Sequence, residues 1–370
     1  QIAALTALQA KSLTTGQLNK LTSAQLSAME TADIASLSTA SLASMTTEQL
    51  VNLSSTQIAA LGSAQVKALS TTQISKLLED QIKGLESRDV AVLTTAQLRA
   101  LTSAQMAAMS TTQIQGLQTT AMASLNSAQL DMLTTAQLKA LSSRQIGAMS
   151  STQLNLLSTA QLQAIDATDL AEVKSSQIAG LSTTAFLSLS SAAIASLKTS
   201  QIAALNTAQV AALNEDTLSA LTPVQIGALE TRDIAVLSTT NLVGLSSMQL
   251  RALKTTQLNA LSTTQLASLT TTTLNQLAPT QWTGLRGAQL SALSSATMAS
   301  LSSLQVGSLT TVQIADLSST ALGNISSSAL VSMSTQLIAA LTTLQIASLS
   351  TADFNVLTTR QIAALETRDV

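Results

Sequence analysis

The sequence predicts an all-α solenoid of very short capped helices, one per eight-residue repeat. Three observations carry that reading: an apolar ladder with an eight-residue period, a hydroxyl and a glutamine three residues apart between its rungs, and a composition that favours helix. Let the octad be lettered a to h, with a at Leu5 and every eighth residue on to Leu365. All 46 of these positions hold Leu, Met, Ile or Val. Position f runs from Ile2 to Val370, and each of its 47 places is large and apolar except Ala10. The only aromatics, Phe186, Trp282 and Phe354, all fall on f.

The ladder's spacing excludes the simplest structures. Positions a and f alternate by five and three, about four residues per apolar step, whereas an α-helix turns every 3.6 residues. A continuous helix would wind its stripe off the core. In a strand, residues five apart point to opposite faces. Something must therefore reset the chain once per octad.

Positions a to f spell that reset. Position b is Ser or Thr in 30 of 46 octads, and e is Gln in 30 of 47 and Asp in six. A hydroxyl at N-cap with Gln three residues on is a capping box, and an apolar residue before the cap packing on N4 is its hydrophobic staple. Leu133-Thr134-Thr135-Ala136-Gln137-Leu138 supplies every part: staple, cap, N3 glutamine and N4 apolar residue. The next cap arrives before a third turn can form. Of 19 acids, 16 lie at b to e, on the N-terminal side of each turn, where the helix dipole favours them. Position h is usually Ala, Ser or Gly, small residues that suit a tight exit from a helix. Gly84, Gly116 and Gly180 are spaced by multiples of 32 residues, or four octads, a spacing that would mark a superhelical turn but then lapses, so the sequence leaves the number of octads per turn open. Helices this short are unstable alone, so stacking on neighbours must hold them. The rival is a β-solenoid with the e glutamines stacked as an amide ladder. Abundant Ala, Leu, Gln and Met, with few Gly, Asn, Pro or aromatic residues, favours helix.

No insertion breaks the phase, so residues 1–370 read as a single continuous octapeptide array. Because it starts and stops within a repeat, it is expected to be a segment of a longer chain. Charged residues make up 10% of it, against about 25% in ordinary globular proteins. With no His and no Cys, a Ser-His-Asp triad and the usual zinc and thiol chemistry are excluded. There is no glycine-rich phosphate loop. A net charge of −2 offers no field for nucleic acid, and even the uncharged stretches carry too much Ser, Thr and Gln for membrane insertion. The reading therefore assigns no catalytic, cofactor-binding or metal-ligating residue, and expects no enzyme and no cofactor.

One octad variant has the residue types of a site. Acids stand at both b and e in Glu30/Asp33, Glu86/Asp89, Asp166/Asp169, Glu230/Asp233 and Glu366/Asp369, while Asp353 at e is paired with Ser350. Two carboxylates on one turn suit calcium or acid–base work, but calcium needs six to eight oxygens. The preferred reading is a charged version of the cap, answered in three octads by Arg88, Arg232 and Arg368.

Across its whole length the L-[ST]-[ST]-x-Q-[IL]-x-[AS] pattern resembles octapeptide-repeat regions of very large secreted or surface exoproteins of Gram-negative bacteria. That resemblance implies an extracellular or cell-surface location and great length. Residues 221–226, L-T-P-V-Q-I, resemble the opening of plant-pathogen TAL-effector repeats. The variable base-reading pair and basic surface are missing, so DNA reading is not implied. Two aliphatics per octad make a thin core, and faces rich in Ala, Ser and Thr suit close packing against another chain. The expected role is a structural fibre or filament, with the chain itself as partner. The alternative is a non-enzymatic adhesin stalk or binding module that presents a Ser/Thr-rich face to a polymer or a host surface, with surface glycans among its partners.

Overall fold

A computed structural model describes residues 2–365. Among them the chain is all-helical: a 3-10 turn at Ile2–Ala4 precedes 45 α-helices of four to six residues, and no strand occurs. It divides into two compact units, Gln1–Ser196 and Leu197–Val370. Each is an α-solenoid. The acid pair Glu366/Asp369 and Arg368 lie outside the described residues.

One octad shows why the helices are so short. In Ser103–Ala108, the N-cap Thr102 is extended at φ −71° and ψ 160°. The preceding Leu101, which caps the helix before it, is extended at φ −61° and ψ 135°. Its N–H donates to the Leu98 carbonyl at 3.1 Å, closing that helix. Two consecutive extended residues, a and b, thus break the chain between these two helices. Among the described residues none has a positive φ.

The ladder sits inside. Leu98, Ile114, Leu138 and Trp282 on f are all 0% exposed, and Leu101 on a is 4% exposed. The buried Trp282 ring fills a ladder place, its Nε1 without a hydrogen-bond partner. Each helix packs chiefly on the third helix along: Ser55–Ala59 on Glu79–Gly84, Ser87–Val90 on Thr111–Gly116, Thr231–Ala235 on Thr255–Ala260.

The glycines do a different job from the one their position suggests. With no positive φ, none makes a left-handed exit. Several instead let the next turn's backbone come close. A Cβ at Gly84 would lie 2.7 Å from the Ser55 carbonyl oxygen, and one at Gly284 only 2.6 Å from that of Thr255. Both partners are 29 residues away, so a superhelical turn is shorter than the four octads the 32-residue spacing suggests. Gly284→Ala should therefore destabilise by about 1–3 kcal/mol, the cost of overpacking. Gly16, in the helix Thr15–Leu18, has nothing within 4 Å of its would-be Cβ. Gly16→Ala should stabilise by about 0.5–1 kcal/mol. Thermal melting of the two variants checks both signs.

Candidate functional site

The recurring polar feature of the fold is the glutamine at e. Its first role is the cap. Thr134 Oγ1 accepts the Gln137 N–H at 3.1 Å, and Gln137 Oε1 accepts the Thr134 N–H at 2.8 Å. Where b carries no polar cap, as at Gly62 and Leu78, the glutamine half survives alone: Gln65 Oε1 takes the Gly62 N–H at 2.7 Å, and Gln81 Oε1 that of Leu78 at 2.8 Å.

The second role is one the capping box does not foresee. Gln137 Nε2 donates to the carbonyls of Met106 at 3.0 Å and Met109 at 2.7 Å. Gln105 Nε2 donates to Ile74 at 3.0 Å and Leu77 at 2.6 Å. These partners are an f and an a residue, 31 and 28 residues back. Ile74 lies in the helix Thr71–Lys76 and Leu77 is its C-cap. A helix end leaves its last carbonyls without intrahelical partners. One glutamine therefore caps the start of its own helix and the end of another, a superhelical turn away. Reaching the fourth octad back for f and the third for a puts the turn between three and four octads. Gln105 is 2% and Gln137 is 2% exposed, so these bonds are shielded from water.

The amide is what the position selects. A capping box works with Glu as well as Gln, yet no octad has Glu at e. A carboxylate cannot donate to the two carbonyls. That absence was the signal for the second role. The short Asn241 fits the same rule, donating through Nδ2 to Leu213, 28 residues back, at 2.7 Å.

The six-letter pattern A-L-T-T-A-Q spans positions h to e, from the residue before the ladder leucine to this glutamine. The profile described as the ALTTAQ repeat matches residues 26–63, 50–79, 82–119, 122–159, 135–167, 186–215, 226–263 and 338–367, together more than half of the chain. The chain belongs to the ALTTAQ repeat family. No curated protein matches it. In this ALTTAQ chain, the commonest residue at e thus joins one turn to another.

Asp33, Asp89, Asp233 and Asp353 keep the N3 half of the cap and change the joint, while the Asp166–Asp169 octad forms no capping box. Asp33 Oδ2 takes the Glu30 N–H at 3.2 Å, Asp89 Oδ2 that of Glu86 at 3.3 Å, and Asp233 Oδ2 that of Glu230 at 3.0 Å. The paired acids do not converge. Asp89 and Asp233 are 0% exposed, while Glu86 and Glu230 reach outward to Arg88 and Arg232, each at 2.8 Å. Among the described residues, no three acidic side chains are grouped to hold a metal ion. The second oxygen takes a serine hydroxyl 26 residues back: Ser63 to Asp89 at 2.7 Å, Ser143 to Asp169 at 2.7 Å, Ser327 to Asp353 at 2.9 Å. At Asp353, burial pushes the carboxyl up. Donors from Ser350, through its hydroxyl and N–H, and from Ser327 outweigh burial and hold the carboxyl below its usual value. A lowered carboxyl contributes stability above its unfolded value and loses it as pH falls through the folded one.

Proposed function

We propose that this ALTTAQ array is a non-enzymatic structural scaffold, the building length of an extracellular or surface fibre that associates with copies of itself. The observation that carries the reading is the glutamine joint. It meets the orphan groups of two helix ends with one side chain, so each turn depends only on turns beside it. Such an array lengthens by repetition without new design. The b and e polar groups are consumed internally, which leaves Ala, Ser and Thr to face outward. The resemblance to large exoproteins supports the location.

A second reading, an adhesin stalk, has its own support. Shallow grooves recur beside glycines at h. One is lined by Thr231, Thr255, Thr256, Asn259 and Thr283 at Gly284, another by Thr239, Thr240 and Ser268 at Gly244. Clustered hydroxyls beside bare backbone suit sugar hydroxyls. Electron microscopy and sedimentation of the purified chain across a wide concentration range separate the two. Filaments that grow with concentration are the expected result. Particles that stay single at every concentration, and bind a glycan array, overturn the fibre in favour of the stalk.

A further inference from the structure

Asp233 stands apart from the other buried aspartates. Its Oδ2 is occupied by the Glu230 N–H, but its Oδ1, fully buried, accepts no hydrogen bond. Thr207 holds the place 26 residues back from which Ser63, Ser143 and Ser327 serve Asp89, Asp169 and Asp353, and it does not reach Oδ1. One octad later, Asn241 shows what that corner requires. Asn has the same length as Asp, and its Nδ2 donates to the carbonyl 28 residues back. By that register the carbonyl facing Asp233 is that of Leu205, a residue 0% exposed. An ionised Oδ1 would bring two acceptors together in a dry site, which is costly.

We infer that Asp233 is held as the neutral acid, its Oδ1 proton donated to the Leu205 carbonyl, and that losing this proton loosens one joint between turns. Protonated, Asp233 does what Asn241 and the glutamines do; ionised, it cannot. The surrounding charges do not reverse this. On its own helix, Arg232 Nε is 3.7 Å from Oδ1, but the guanidinium is engaged by Glu230 at 2.8 Å. Of the helices packed on Thr231–Ala235, Thr207–Ala211 has no titratable residue, and Thr255–Ala260 brings only Lys254 at its N-cap. Lys254 lines the outer groove with Glu230 and Arg232. Lys198 heads Thr199–Ile202, the helix that the Leu205 turn follows. Burial raises the Asp233 carboxyl, and the Glu230 N–H and Arg232 only partly oppose it. A raised carboxyl gives stability that is full below the unfolded value and is lost as pH rises through the folded one.

The test is carbon-13 NMR of the aspartate carboxyls in the full chain, selectively labelled, with the Asp233 signal identified by its loss in Asp233→Asn. That signal should titrate above the ordinary aspartate value of about 3.9. Asp233→Asn should melt higher than the parent at pH 7, with the gap closing as pH is lowered. Thr207→Ser, which supplies the missing hydroxyl, should bring the titration down. A titration at or below the ordinary value, an Asn variant that melts lower at pH 7, or a titration unmoved by Thr207→Ser overturns the inference. So does a signal that calcium shifts at fixed pH, which would put a cation between the two oxygens instead.

Discussion

Gln105→Glu should lower stability by about 3–5 kcal/mol at pH 7, the cost of leaving a buried charge unpaired. The exchange changes one donor into an acceptor and keeps the shape. As a cap, glutamate is as good as glutamine, and its carboxylate can still take the Thr102 N–H now bonded to Gln105 Oε1 at 2.8 Å. The loss therefore reports on the other end of the side chain. There the Ile74 and Leu77 carbonyls, at 3.0 and 2.6 Å from Nε2, would face a second negative oxygen. Urea unfolding at pH 7 and at pH 4 gives the measurement. Because this site raises the glutamate's value, acid should restore part of the loss as the carboxyl regains a proton to donate. Gln115→Glu, on an exposed g position of the same unit, should stay within about 0.5 kcal/mol of the parent. Equal, small effects at both positions would reduce Gln105 to a cap and remove the joint.

What could be seen in the sequence was local. The phase, the a and f rungs and the capping box depend on residues within one octad, and Thr134, Gln137 and Leu138 stand as the pattern predicts. What could not be seen depends on how far the chain turns at each a–b break. That angle decides that Gln137 meets Met106 and Met109, and no local pattern contains it. It also misdirected the glycines: Gly84 and Gly284 look like helix exits, but the need for smallness comes from Ser55 and Thr255 in the neighbouring turn. Two traces of the long-range order were present in the letters. One is the exclusion of Glu from e. The other is the serine 26 residues before Asp89, Asp169 and Asp353, which acquires meaning only once the turn length is known. The charged cap is present at Asp33, Asp89 and Asp233 and absent at Asp169, yet the same two letters, b and e, conceal whether the buried carboxylate is satisfied. Asp233 and Asp353 differ in that respect because one has Thr207 and the other Ser327 at the corresponding place.

Leu138→Ala should cost about 2–5 kcal/mol, the range for emptying a buried leucine site, and its damage should stay local. Leu138 is 0% exposed at the f rung of Thr135–Lys139. That helix packs on Thr111–Gly116 below it and Thr159–Gln163 above it. The rung is fenced by backbone as well as by side chains: the Gln137 amide is tied to Met106 and Met109, which hinders collapse into the cavity. In a stack where each turn contacts only its neighbours, energy is lost where the contacts are lost. Hydrogen exchange should speed up in these three helices and stay at the parental rate in Ser55–Ala59 of the same unit. Leu138→Met, at a position type where Met106, Met122 and Met298 already serve, should cost less than about 1.5 kcal/mol. A uniform loss of protection throughout the unit would mean that it melts as one cooperative body. Local loss would instead describe a material that tolerates a broken rung, which is what a long repetitive scaffold needs if a single defect is not to part it.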